Sequence, residues 1–193
     1  MISGKHLGEL CRLMLLSISR EGHLPRHSRL GELTKAHTLT TRLVDVICDD
    51  QSSGLRTSAS VLKTSLRVDF NPEHMQAVKR VCEVIVERAA VLVGCALAAT
   101  IAHVRRDDPD NTDAVVVTID GSMFNKFEKF RKAVTVETKR ILTVVHGTKA
   151  PKVEIMPYLG GSCFGAAALS AAVCPAIDES CRQQFPELRY LDY

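Results

Sequence analysis

The sequence predicts an α/β fold in which a helix-rich N-terminal half precedes a βαβα unit. Apolar residues recur at helical spacing through much of residues 1–106, whereas a β-branched run begins at residue 114. Beyond that run, helical and strand patterns alternate. The chain has 193 residues, 46% of them hydrophobic, and a formal net charge of +3, as expected for one soluble globular domain.

Three helices are predicted before residue 67. The first extends over Lys5–Arg20, where apolar residues recur at helical spacing, and Gly22 then ends it. Residues 23–38 show no period and predict a loop with room for one helical turn. Two shorter helices, Thr41–Asp49 and Ala59–Leu66, follow.

A long fourth helix begins at Asn71-Pro72-Glu73. Asn is a preferred cap, Pro fits the first helical position, and Glu favours the positive end of the helix dipole. We expect this helix to end near Arg106, because acidic residues and Pro109 follow. Its apolar stretch, Ala89–Ala102, is shorter than the roughly 20 residues that span a bilayer, which predicts a buried helix and no membrane span.

The long helix carries small residues at four-residue spacing, here called the small-residue ridge: Ala90, Gly94, Ala98 and Ala102. Such a ridge lets another helix approach closely and predicts a tight helix crossing. An alanine-rich core helix of no special role explains the spacing alone equally well.

The C-terminal half begins with a strand over Ala114–Ile119 that leads into the tight turn Asp120-Gly121-Ser122. A helix from about Phe127 to Leu142 and a second strand, Val153–Met156, follow. These elements predict a βαβ-like unit.

The last helix, Ala166–Val173, follows a glycine-rich turn over residues 160–165. Glycines here and at 120–122 let the backbone approach a phosphate, and the free amides of a helix N-terminus attract anions. A nucleotide site is one interpretation of these turns. The other is that they are ordinary turns at the ends of strands. The turn at 160–165 fits neither the P-loop nor the Rossmann spacing.

Composition excludes several classes of function. A net charge of +3, no Trp, six Phe and three Tyr argue against a nucleic-acid binder. The seven cysteines include no C-x-x-C pair, which predicts reduced thiols and neither a zinc site nor disulfides. The N-terminus does not have the pattern of a secretory signal. Cytoplasm is the default localisation, with a peroxisome-like organelle left open.

Four motifs occur in order along the chain: Met1–Leu10, Arg88-Ala89-Ala90 with Gly94–Ala99, Val117–Phe124, and Gly165–Leu169. Together they resemble the hexokinase family. The second motif is similar to that family's second connecting helix and the third to its adenosine motif. The first is similar to the segment after the sugar-contacting glutamate, and the fourth to the last helix. The likeness extends from Met1 to about Val173.

The resemblance implies part of an actin-like, ribonuclease-H-like ATPase large domain. Residues 1–175 would form its C-terminal portion and residues 176–193 a tail. The implied reaction is the first step of glycolysis, in which MgATP phosphorylates the 6-hydroxyl of glucose or a similar hexose. The family's phosphate loops, sugar-binding asparagine and catalytic aspartate have no match in this chain and are expected upstream of Met1. The isolated chain is therefore expected to hold no catalytic residue and to be inactive.

The resemblance also implies nucleotide-binding residues, carried over position by position: Gly4, Lys5, Thr41, Asp45, Asp120, Gly121, Ser122, Ser162, Cys163, Phe164 and Gly165. Gly4 and Lys5 match residues that reach the nucleotide phosphates, with a solvated Lys5 as the alternative. Thr41 matches a nucleotide-contacting threonine. Asp45 replaces a serine of the family, and an ordinary surface acid is its alternative interpretation, because a carboxylate repels phosphate unless Mg²⁺ intervenes.

The glycine-rich turn departs from the family's Asp-Gly-Ser-Gly-Lys-Gly-Ala-Ala. This chain has Gly-Gly-Ser-Cys-Phe-Gly-Ala-Ala over residues 160–167, without the acid and the lysine. Backbone contacts from Ser162, Cys163 and Gly165 do not depend on those side chains. Phe164 either covers the adenine or serves simple packing.

Three functions stay open at this stage: the nucleotide-binding part of a hexokinase, a catalytically inactive hexokinase-like scaffold or regulatory protein, and an unrelated small α/β domain. ATP and a hexose are the expected partners, nucleic acid is not, and a homo-oligomer stays open. We also expect the small-residue ridge to expose apolar surface, because the family resemblance places its partner helix outside this chain.

Overall fold

The computed structural model describes residues 3–25, 30–106 and 114–173. The α/β class and the order of a helical half followed by a βαβα unit are confirmed, while the predicted tail at 176–193 lies outside the described residues. Short 3₁₀ turns lie at Gly31–Thr34, Ser53–Leu55 and Gly147–Lys149. The main elements are α1 (Gly4–Arg20), α2 (Thr41–Asp49), α3 (Arg56–Leu66), α4 (Pro72–Val104), β1 (Val115–Asp120), α5 (Ser122–Lys126), α6 (Glu128–His146), β2 (Val153–Tyr158) and α7 (Gly161–Val173).

Local capping sets the starts of two helices where the sequence predicts them. The Asn71 side chain accepts a hydrogen bond of 2.8 Å from the His74 amide at the start of α4. The Thr40 hydroxyl accepts one of 3.3 Å from the Leu43 amide at the start of α2. Each cap satisfies an amide that the first helical turn leaves without a partner.

The main hydrophobic core lies among α1, α2, α4 and the start of α6, and its fully buried side chains include Leu7, Leu15, Ile47, Met75 and Val78. Arg12 is also buried beside this core. Its guanidinium pairs with the Glu9 carboxylate at 2.5 Å and donates a hydrogen bond of 3.1 Å to the Leu33 carbonyl. This pairing and hydrogen bonding satisfy the buried charge.

The strands β1 and β2 pair in parallel, with Val115 opposite Val153 and Asp120 opposite Tyr158. The inward face of the sheet packs on the C-terminal parts of α4 and α6 in a second apolar cluster. Its buried members are Ala98, Ile101, Leu142 and Val153. The outward face is open, with Val116 at 54% exposure. Because both strands end at the same edge, residue 120 and the glycines at 160–161 lie close together.

The small-residue ridge of α4 forms the predicted tight crossing, and its partner is α6. A Cβ at Gly94 would lie 3.1 Å from the Glu137 Cβ and 3.1 Å from the Thr138 amide nitrogen. Ala90 and Ala98 are buried. The expectation that the ridge exposes apolar surface for want of a partner is therefore wrong, because the helix that covers it is within this chain.

Two helices begin earlier than predicted. Helix α3 begins at Arg56 rather than Ala59, directly after Leu55, whose left-handed backbone (φ 56°) ends the preceding 3₁₀ turn. Helix α7 begins at Gly161 rather than Ala166, so the glycine-rich segment predicted as a turn forms the first helical turn.

Helix α4 contains an 18-residue window with a mean hydropathy of 2.0, so its length and composition alone would suit a membrane-crossing helix. The fold buries 39% of that window. The described cysteines are free thiols: Cys11, Cys48 and Cys82 are buried, and Cys95 and Cys163 are exposed. Cys174 and Cys181 lie outside the described residues.

Candidate functional site

A groove of about 470 Å³ brings four of the predicted site residues together: Gly4, Thr41, Asp45 and Ser122. Its volume is within the range of small-molecule sites. The groove is also lined by four residues that sequence reasoning missed: Arg42, Met123, Lys126 and Phe127. Arg42 is in α2, Met123 and Lys126 are in α5, and Phe127 directly follows α5. Each lies within a few residues of a predicted site residue, and this proximity in sequence was the signal that could have identified them.

Three helices begin at this groove. Gly4, Thr41 and Ser122 are the first residues of α1, α2 and α5, respectively. A Cβ at Gly4 would lie 3.5 Å from the Met123 Cβ, so α5 and α1 are in van der Waals contact here. The positive ends of helix dipoles attract anions, and the basic side chains of Arg42 and Lys126 add to this attraction.

The hydroxyl of Thr41 connects α1 to α2. It donates a hydrogen bond to the Gly4 carbonyl and accepts one of 3.3 Å from the Gly8 amide. The two helices come this close because Gly8 has no side chain: a Cβ there would lie 2.1 Å from the Leu39 carbonyl oxygen. Thr41 thus lies at the groove as predicted, but its hydroxyl already donates its proton to the Gly4 carbonyl.

Asp45 lies one turn further along α2 and is half-buried. Its Oδ1 atom is buried and has no hydrogen-bond partner. Burial raises the pKa of Asp45 above its ordinary value, and the nearby negative charge of Asp49 raises it further. Asp45 thus has one carboxylate oxygen shielded from solvent, while the residue as a whole is still partly exposed.

A second group of predicted residues lies where β1 ends and α7 begins. The Ser162 amide and hydroxyl both donate to the Asp120 Oδ2, at 3.1 Å and 3.2 Å. A Cβ at Gly161 would lie 2.8 Å from the Tyr158 ring, which shows how closely α7 starts beside β2. Asp120 therefore accepts the hydrogen bond of the Ser162 amide, which the family resemblance had assigned to nucleotide binding.

The remaining predicted residues are on the surface near these two groups. Gly121 separates Asp120 from Ser122 and so connects the second group to the groove. Lys5, Cys163 and Gly165 are exposed.

Phe164 is 69% exposed. Its ring therefore packs little against the described residues.

The family model described as Hexokinase matches residues 1–173. The chain belongs to the hexokinase family. Hexokinase-1 of Saccharomyces cerevisiae is 29% identical over 171 residues, which cover 89% of this chain and 34% of the relative. Hexokinase-7 of Oryza sativa is 28% identical, with coverage of 89% and 37%. The hexokinase-like 1 protein of Arabidopsis thaliana is 28% identical over 134 residues.

Solved hexokinase structures have the same fold. The hexokinase from Schistosoma mansoni complexed with glucose matches 88% of this chain and 36% of its own, with a TM-score of 0.71 and 26% identity. Another hexokinase crystal structure has a TM-score of 0.64 at 21% identity and supports the fold alone. The actin-like ATPase fold is thus confirmed, and the chain spans about a third of the length of these hexokinases.

Proposed function

We propose that this chain carries the nucleotide-binding part of a kinase that transfers phosphate from ATP to the 6-hydroxyl of glucose or a similar hexose. The groove lined by Gly4, Thr41, Asp45 and Ser122 carries this proposal. Gly4, Thr41 and Ser122 match positions of the family, whereas Asp45 replaces a serine, and the helix starts and basic side chains of the groove suit a polyanion. The Schistosoma mansoni relative complexed with glucose supports a hexose as the second substrate.

The described residues fit the nucleotide better than they fit a resident metal ion. The groove is large enough for part of a nucleotide, and Lys126 and Arg42 line it. Among residues 3–25, 30–106 and 114–173, no group of three or more His, Cys, Asp or Glu side chains is arranged to hold a metal ion. We therefore propose that Mg²⁺ enters with the ATP phosphates, where it neutralises charge during phosphoryl transfer.

Each part of the groove has a separate role in this proposal. The first turns of α1 and α2 orient the phosphates through backbone amides and their helix dipoles. Lys126 and Arg42 act as positive charges beside them. The Asp120 carboxylate holds α7 at the edge of this site through Ser162. Exposed Phe164 is available to cover a base.

We propose that the group that accepts the proton of the hexose hydroxyl lies in another segment of the kinase. Phosphoryl transfer to a hexose needs a carboxylate that accepts the hydroxyl proton. None of the residues that line the groove is matched to that role, so we propose that the chain alone binds nucleotide but does not phosphorylate sugar. The proposed localisation is the cytoplasm, and a homo-oligomer is a further proposal.

A catalytically inactive scaffold is the second candidate. It is favoured by the occupied helix start at Ser162 and by Cys163 and Phe164, which replace glycine and lysine of the family's turn.

Isothermal titration calorimetry with MgATP tests the proposal on the chain itself. We expect saturable binding that Lys126→Ala weakens by roughly two- to fivefold, the range of an exposed ion pair. Lys139→Ala is the matched control, because Lys139 is an exposed α6 lysine outside the groove. Absence of binding would refute the nucleotide role.

A glucose-phosphorylation assay separates kinase from scaffold. The chain is joined at its N-terminus to the corresponding upstream part of the Saccharomyces cerevisiae hexokinase and compared with the chain alone. Activity in the joined protein alone supports the kinase. If both bind ATP and neither phosphorylates glucose, the scaffold is favoured.

A further inference from the structure

Lys129 connects two walls of the groove. One wall is formed by α2, and the other by α5 together with Phe127, the residue that follows it. Lys129 lies two residues after Phe127, in the first turn of α6, and does not itself line the groove. Its Nζ atom donates a hydrogen bond of 2.7 Å to the carbonyl of Cys48, in the last turn of α2. Among the described residues, this is the one hydrogen bond that joins α2 to α5 or α6.

The position of Lys129 within α6 is unfavourable for a cation. The positive end of the helix dipole opposes a lysine in the first turn of a helix. The side chain reaches instead the last turn of α2, where carbonyl groups lack helical partners and the dipole favours a cation. The Glu83 carboxylate of α4 lies 3.4 Å from the same ammonium and holds it from another side. These contacts offset the local cost and give Lys129 a role between helices.

A second lysine makes a similar contact away from the groove walls. The Lys79 ammonium donates a hydrogen bond of 2.6 Å to the carbonyl of Asp50, the residue directly after α2. Lys79 belongs to α4, and none of the described residues that line the groove belongs to that helix. Lys79 therefore stabilises the same end of α2 without connecting it to the α5 wall.

We propose that Lys129 is a positioning residue that sets the distance between the α2 and α5 walls and thereby the affinity of the groove for a nucleotide. This inference rests on the proposed nucleotide-binding function. In that function the phosphates contact both walls at once, with Arg42 and the start of α2 on one side and Lys126 on the other. Without the hydrogen bond to Cys48, α2 is free to shift relative to α5, and only a fraction of the molecules hold both walls at the binding distance. The apparent affinity falls in proportion to that fraction.

Calorimetric titration with MgATP tests the role of Lys129. Lys129→Met removes the ammonium but keeps an aliphatic side chain. We expect it to bind MgATP roughly three- to tenfold more weakly than the unmodified chain, as when between a third and a tenth of the molecules keep the binding arrangement. Lys129→Arg keeps a charged donor and should restore the affinity to within about twofold. Circular dichroism verifies folding at the titration temperature, and Lys129→Gln, which also removes the charge, replaces Lys129→Met if that variant unfolds.

Lys79→Met is the matched control. It removes the same kind of hydrogen bond, and the same charge, at the same end of α2. Both methionine variants should lower the free energy of unfolding measured in urea, because each loses a hydrogen bond of a charged donor. Only Lys129→Met should weaken MgATP binding, whereas Lys79→Met should stay within about twofold of the unmodified chain. A purely structural lysine, or a general effect of positive charge on ATP, would give the same affinity change in both variants.

The outcomes are distinguishable. An unchanged MgATP affinity in Lys129→Met overturns the inference, and so does an equal loss of affinity in Lys79→Met. A loss that Lys129→Arg does not reverse overturns the assignment to the charged hydrogen bond. Absence of MgATP binding to the unmodified chain refutes the proposed function and the inference with it.

Discussion

Gly8→Ala should disrupt the junction that forms one wall of the groove. The new Cβ would lie 2.1 Å from the Leu39 carbonyl oxygen, 2.7 Å from the Thr40 carbonyl carbon and 2.9 Å from the Thr41 amide nitrogen. Comfortable contacts between non-bonded carbon atoms are about 3.5–4.0 Å. All three neighbours are backbone atoms, so no side-chain rotation relieves the clash and α1 must move away from residues 39–41.

The expected loss of stability combines three effects. Overpacking costs about 1–3 kcal/mol. Separation of the helices also breaks the two hydrogen bonds of the Thr41 hydroxyl, each worth about 0.5–1.5 kcal/mol. Alanine is the better helix former by about 1 kcal/mol, which offsets part of the loss. The net expectation is a free energy of unfolding lower by roughly 1–5 kcal/mol.

Urea unfolding followed by circular dichroism measures this change. Gly165→Ala is the matched control, because Gly165 is helical and has no atom within 4 Å of an added Cβ. The control should be unchanged or more stable by up to about 1 kcal/mol. A Gly8→Ala protein within about 0.5 kcal/mol of the unmodified chain, with an unchanged denaturant slope, would refute the packing argument.

Three further predictions follow from described contacts. The Arg12 hydrogen bond lowers the pKa of Glu9 from 4.5 to about 2, so its stabilisation should be complete above pH 4.5 and lost as the pH falls through about 2. Acid unfolding of Glu9→Gln should lack this component, and an unchanged acid transition would contradict it. Gly94→Ala should destabilise by about 0–2 kcal/mol in urea unfolding, because overpacking against Glu137 opposes the gain in helix propensity; a gain of more than about 1 kcal/mol would disprove the tight crossing. Phe164→Ala should change stability by less than about 0.5 kcal/mol, since the ring is 69% exposed, while calorimetry should detect weaker MgATP binding; unchanged affinity would exclude contact with the base.

The sequence predicted the start of a helix correctly where its capping residue directly precedes it in the chain. Helix α2 has the predicted bounds, and α4 begins at the predicted Pro72 after the Asn71 cap. Helix α7 was predicted to begin five residues too late, because the Ser162 amide in its first turn is bonded by Asp120, which is 42 residues away in sequence. A partner so distant gives no signal in the local pattern.

The candidate site was predicted only in part, because contacts between residues distant in sequence bring some of its members together. Gly4, Thr41, Asp45 and Ser122 came from motif positions, and the fold brings them to one groove. Lys126 and Phe127 were missed because their place in the groove depends on how α5 packs on α1. The orphaned oxygen of Asp45 was also unpredictable, since the sequence does not reveal which acceptors lack donors.

The crossing of α4 and α6 has a consequence for synthesis of the chain on the ribosome. Helix α4 ends at Val104, and the helix that covers its ridge is complete only at His146, about 40 residues later. At typical translation rates, this long apolar helix is without its partner for roughly two to eight seconds. During that interval the apolar face of α4 is uncovered on the nascent chain, where exposed hydrophobic surface is prone to aggregation and is a target for chaperones.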